Sequence, residues 1–132
     1  MTAIAFGFTK LVVADLDGEE RFYREVFGME TVSRVAAADH EFALDECIMR
    51  LPGSSAGHAL IITRYRTRAC PPVGAVWTGF TVPELGKALS DVVAAGGRIE
   101  VPAHENADHG VLAAIAEDPE GHLIEIIQML KG

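Results

Sequence analysis

Residues 8–16, Phe8-Thr9-Lys10-Leu11-Val12-Val13-Ala14-Asp15-Leu16, and residues 77–85, Trp77-Thr78-Gly79-Phe80-Thr81-Val82-Pro83-Glu84-Leu85, decide how this chain folds. Each opens on an aromatic residue and runs as a mostly apolar strand into an acidic helix start. In the first copy the strand closes near Ala14. Asp15 or Asp17 then caps a helix, with Glu19 and Glu20 near its positive end. Phe22, Tyr23, Val26 and Phe27 form its apolar face, and Gly28 stops it. In the second copy Pro83 suits a first helical turn. Leu85, Ala88, Leu89, Val92 and Val93 recur at helical spacing until Gly96-Gly97. A shift of 69 residues lays Val13 on Val82, Asp15 on Glu84 and Gly28 on Gly97. Strand, acidic start and terminal glycine share one offset, which predicts an internal duplication.

Three short strand patterns follow each helix. They fall at Glu30–Val35, Glu41–Arg50 and His58–Tyr65, and again at Arg98–Val101, Val111–Glu117 and His122–Leu130. Pro52-Gly53-Ser54-Ser55 and Asp118-Pro119-Glu120-Gly121 punctuate them as turns. The pattern predicts an α+β fold of two βαβββ modules, residues 1–66 and 75–132, joined by a proline-bearing linker. Together they make one domain, 1–132.

Composition narrows the function. With 19 acidic and 11 basic residues, the net charge of −8 repels phosphate backbones and anionic lipids, which argues against nucleic-acid and membrane partners. No apolar run reaches transmembrane length, and the first residues lack a signal-peptide layout. Cys47 and Cys70 form no disulfide framework and no C-x-x-C spacing. These features predict a cytoplasmic protein with reduced thiols.

Four stretches carry a resemblance. They are Val13-Ala14-Asp15-Leu16, Phe22-Tyr23-Arg24-Glu25-Val26-Phe27-Gly28-Met29, Ala95-Gly96-Gly97, and Asp118-Pro119-Glu120-Gly121 followed by Ile124-Glu125. With these the chain resembles the vicinal oxygen chelate superfamily of glyoxalase I, extradiol dioxygenases, and fosfomycin and bleomycin resistance proteins. The resemblance implies paired βαβββ modules that form a curved mixed sheet around a cleft for a small molecule, with the ligand site inside the sheet, and a homodimer. It also implies a divalent ion held by the first and last strands of each module.

Carried across by position, those metal ligands are mostly missing. The first-strand histidines fall on Phe8 and Trp77, neither of which offers a metal donor. The last-strand ligand of module one falls within Ala59-Leu60-Ile61-Ile62-Thr63, and only Glu125 matches in module two. One carboxylate is too few for a divalent ion, so no metal and no other cofactor is expected. A noncanonical site from His104, Glu105, Asp108 or His109 with Glu125 stays open, because these residues lie in a polar stretch read as a loop over the cleft.

The remaining candidates are chemical rather than metallic. Glu125 lies between apolar neighbours, with Leu123 and Ile127 on its own face, and burial there would suit a general base. Phe8, Ile62, Trp77 and Leu123 are candidate ligand contacts, the two aromatic residues favouring a flat or apolar molecule. Arg64, with Arg66 and Arg68, is a candidate anion contact or a solvated edge, and His104 and His109 are candidate contacts from their loop. Asp39-His40-Glu41 and Asp45-Glu46 read as solvated turn and strand-edge charges. Two functions follow. One is a metal-free small-molecule binder; the other is a lyase, isomerase or dioxygenase using Glu125 or a noncanonical ion.

Overall fold

The computed structural model describes all residues except 38–41, 54–56 and 131–132. Asp39-His40-Glu41 and Ser54-Ser55 therefore lie outside the described residues. The first half runs β1 (Phe8–Val12), α1 (Leu16–Phe27), β2 (Glu30–Ala37), β3 (Leu44–Arg50) and β4 (Ala59–Tyr65). The second runs β5 (Trp77–Thr81), α2 (Leu85–Ala94), β6 (Arg98–Asn106), a short 3-10 turn (Ala107–His109), β7 (Val111–Glu117) and β8 (Leu123–Met129). Strand and helix starts of the two halves, at 8 and 77 and at 16 and 85, repeat the 69-residue offset. The described chain divides into two compact units, one holding most of residues 1–71 and the other 72–132 with 25–27.

Each half builds its own four-stranded mixed sheet, ordered β1-β4-β3-β2 and β5-β8-β7-β6. The first strand of each half pairs in parallel with the last, and the other pairs are antiparallel. A parallel pair needs a crossover connection, and the helix with its following hairpin supplies it.

Local chemistry sets the helix ends. Asp15, not Asp17, caps α1: its Oδ1 accepts the Gly18 N–H at 3.0 Å. Gly28 ends the helix at φ 71°, where a β-carbon would be strained. Pro83 lies just before the cap of α2 rather than inside its first turn. There the side-chain amide oxygen of Gln128 accepts the Leu85 N–H at 2.7 Å, doing the work of a cap from β8. Leu85, Ala88, Leu89 and Val92 are buried as the stripe predicts, whereas Val93, at the stripe's edge, is exposed.

Each sheet buries one face and opens the other. In the first, Leu11, Cys47, Met49 and Ile62 are fully buried on the side of α1, which contributes Phe22 and Tyr23. In the second, Ala114, Ala116, Ile124 and Ile126 are fully buried on the side of α2. The network of Glu20 on α1 with Thr31 and Arg34 on β2 fixes the helix to the first sheet, with Arg34 Nη2 at 2.6 Å from both Glu20 oxygens. Burial pushes the Glu20 carboxyl up, and hydrogen bonds from Thr31 and Arg34 more than reverse this, leaving it below its usual range. Burial and the Glu20 charge push the Cys47 thiol up to about 11, so this buried cysteine is inert as a nucleophile.

The main departure from the expected elements is β6. The pattern predicts a strand ending at Val101 and a loop over 102–109, but the strand continues to Asn106, with His104 paired to Ala113. Register shifts on either side of Val101 hide it from a period-2 reading. Pro102 is tolerated because β6 is the sheet's outer strand.

Candidate functional site

The open face of the first sheet carries the most developed site among the described residues. Glu46 on β3 is the register partner of Thr63 on β4, and Thr63 is the partner of Val12 on β1. Lys10 is one row along on the same face, because side chains two apart on a strand point the same way. Lys10 Nζ is 2.7 Å from Glu46 Oε2, and the Thr63 hydroxyl donates to that same oxygen at 2.8 Å. Glu46 is only 7% exposed and Lys10 41%, so the pair joins a buried acid to a base that still meets solvent. A carboxylate this deep needs such partners to offset its lost hydration. The sequence reading of Glu46 as a solvated strand-edge charge is corrected by this burial.

Above the pair lies a recess of about 400 Å³, lined by Lys10, Glu46 and Thr63 with walls that include Leu44, Phe42 and Tyr65. The Phe42 and Tyr65 rings are tilted at 59° with centroids 6.4 Å apart. The Arg68 guanidinium lies 3.9 Å from the Phe42 ring centroid. An apolar wall around few polar groups, at this volume, is the usual form of a small-molecule site. Oε2 takes both bonds to Glu46, and among the described residues Oε1 has no partner.

The predicted residues fall into three groups. Phe8 stands on this same open face, 56% exposed. Ile62 does not reach the face: it points the other way, wholly buried in the core, and the last-strand positions of the recess are Thr63 and Tyr65. Arg64 also belongs to the opposite side, where it and Arg66 grip Asp45 at 2.8 and 2.7 Å. Its charge is spent within the protein, which disfavours it as a ligand contact. His58 lies outside β4, stacked on Phe6 at 4.7 Å, with its Nδ1 3.0 Å from the Phe6 carbonyl.

The bonds from Arg66 and Arg64 hold the Asp45 carboxyl at about 2, below its ordinary 3.8. A depressed carboxyl contributes stability fully above the unfolded value and loses it as pH falls through the folded one. Asp45→Asn should therefore be less stable than the unaltered protein at neutral pH and show a flatter acid limb, the two converging as pH falls from about 4 to about 2. Urea midpoints measured across that range check it; an unchanged acid limb overturns it.

On the second sheet, Trp77 and Leu123 are register partners, and Glu125 pairs with Gly79 one row on. These residues share the face turned away from α2. Trp77 is 49% exposed, and Glu125 is exposed rather than buried among its apolar neighbours. The desolvation expected for Glu125 is therefore absent. The glycine opposite leaves its flank open. His104 is exposed on β6, its Nδ1 3.1 Å from the Pro102 carbonyl, and His109 closes the 3-10 turn. Among the described residues, no three of His104, Glu105, Asp108, His109 and Glu125 bring ligand atoms within 4.8 Å of one another.

The positions to which the resemblance would assign the ligands of a divalent ion carry Phe8, Trp77, a β4 residue without a usual donor, and Glu125. This donor set does not fit such an ion. Sequence reasoning missed Lys10, Glu46 and Thr63. The signal that would have found them is a polar residue at the same parity in each of three neighbouring apolar strands.

A profile of the Glyoxalase/Bleomycin resistance protein/Dioxygenase superfamily matches residues 5–126. The chain belongs to this superfamily. A glyoxalase family protein from Bacillus cereus superposes with a TM-score of 0.85 at 15% identity, covering 99% of this chain and 97% of that one. TioX from Micromonospora sp. ML1 gives 0.65 at 21%, covering 96% and 99%. A glyoxalase I variant from Zea mays gives 0.79 at 20%, covering 94% of this chain but 44% of its own. This superfamily member thus spans less than half the length of the maize protein. At such identities the likeness is one of fold. No curated protein sequence gives a match.

Proposed function

We propose that this superfamily member is a metal-free binder of a small aromatic or apolar molecule, one that sequesters or carries its ligand. The carrying observation is that rings stand, half exposed, where relatives place metal donors: Phe8 on one open face and Trp77 on the other. Covering about 100 Å² of either ring with a ligand is worth roughly 2–3 kcal/mol, which is a strong reason to take up something flat and apolar. The aromatic-walled recess on the same face as Phe8 supports the same reading. We further propose a homodimer in a reducing, cytoplasmic setting, since neither Cys47 nor Cys70 is in a disulfide. Among the described residues, no helix is long and apolar enough to cross a membrane.

Protein purified without chelators should contain no stoichiometric transition metal. A panel of small aromatics should raise its melting temperature, because a ligand held only by the folded state adds stability, about 2.7 kcal/mol at a hundredfold excess over its dissociation constant. One bound ion per chain, or a flat response to the whole panel, overturns the reading.

A second reading, of a lyase, isomerase or dioxygenase, is favoured by one observation. Glu125 is the single acid at a family ligand position, and it is accessible opposite Gly79. It requires Glu125→Gln to abolish turnover of any substrate found; unchanged turnover removes it.

A further inference from the structure

The geometry points to a neutral aromatic carboxamide, or a lactam presenting the same edge, as the ligand class of the first module's recess. This inference rests on the reading of the protein as a small-molecule binder and names what that molecule must carry. Three polar groups remain unspent there. Lys10 Nζ uses one of its three hydrogens on Glu46 Oε2, which leaves two donors on a half-exposed ammonium. Glu46 Oε1 is an acceptor without a partner among the described residues. The Tyr65 phenol lines the same space, and no hydrogen bond to it is present among the described residues.

Donor and acceptor lie side by side because a salt bridge locks them together, and that lock sets the selectivity. A carboxylate ligand would meet Lys10 but also crowd its charge against the buried Glu46 anion. An ammonium ligand would meet Glu46 but face the Lys10 cation. Both ions would give up hydration to enter a recess whose own charged lining, Lys10 and Glu46, sums to zero, and each would find one like charge there. A primary amide matches the pair without that cost: its carbonyl accepts from Lys10 and its N–H donates to Glu46 Oε1. Like-charge contacts of this kind discriminate more strongly than the attractive bond alone. The Phe42 and Tyr65 rings line the same recess, which favours an aromatic body there.

Titration calorimetry of the full chain at neutral pH with benzamide, benzoate and benzylamine tests this. Such fragments bind weakly, in the millimolar range, so the order of affinity is the readout. Benzamide should bind roughly tenfold tighter than either ion. Its amide chemical-shift changes should centre on Leu44, Glu46, Thr63 and Tyr65. In Glu46→Gln, Lys10 is left as a lone cation and benzoate should overtake benzamide. In Lys10→Met, Glu46 is left as a lone anion and benzylamine should lead. Benzoate or benzylamine equalling benzamide on the unaltered protein overturns the proposal, whether or not the variants fold. So does an unchanged order in a folded Glu46→Gln, or shift changes confined to the second module. Should none of the three bind while toluene or indole raises the melting temperature, this inference fails and the broader reading stands. A stoichiometric metal with no aromatic binding overturns both.

Discussion

Phe22→Ala is expected to lower the stability of the folded chain by about 3–5 kcal/mol, the largest loss among the substitutions considered. Phe22 is 1% exposed, and its ring meets Tyr23 edge-on at 5.1 Å and 84°. Truncation removes the transfer energy of the ring, leaves a cavity in a close-packed core, and deletes an aromatic pair worth about 0.5–1.5 kcal/mol. Phe22→Leu keeps most of the volume and should lose less than half as much. Urea midpoints with an unchanged m-value check both. A loss near 1 kcal/mol for alanine would show that Phe22 is not packed as described.

Asp118→Ala should cost about 2–4 kcal/mol, for a different reason. The buried Asp118 carboxylate accepts the backbone N–H groups of Glu120 at 3.0 Å and His122 at 2.9 Å. It thereby holds the turn that launches β8, whose Glu125 and Leu123 stand on the open face. Alanine leaves both amides without their acceptor, at about 1–3 kcal/mol for each one that water does not reach. Both amides donate to the same oxygen, Oδ1, which the amide oxygen of Asp118→Asn can replace, so that variant should recover most of the loss. Thermal unfolding of the two variants checks the order. Equal stability of the alanine and unaltered proteins overturns the assignment.

The fold was legible because its signals are local and repeated. Asp15, Gly28 and the stripe from Leu85 to Val92 each act through the backbone within a few residues, and they recur at one spacing in the second half. Strand β6 was harder, since its register shifts break the alternation that marks a strand. The candidate site was harder still. Glu46 beside Asp45 looks like ordinary surface charge, and nothing adjacent in sequence reveals that one side chain turns inward while the other meets Arg64 and Arg66. Its meaning depends on Lys10 and Thr63, which only strand pairing brings near. The same limit explains Ile62 and Arg64. A shift of one residue along β4 separates the core from the recess, and sequence alone did not fix that register.

The pairing of Phe8 with Ala59 has a consequence for how the protein is made. Strand β1 leaves the ribosome with its neighbour still about fifty residues from translation, which at roughly 5–20 residues per second is a wait of several seconds. Throughout that interval an apolar stretch with open amide groups hangs from the nascent chain, and local collapse of the intervening helix and hairpin cannot satisfy it. Synthesis slowed before Ala59 would lengthen that wait, so the yield of native protein should depend more on chaperone cover over this early stretch than on the strength of the finished core.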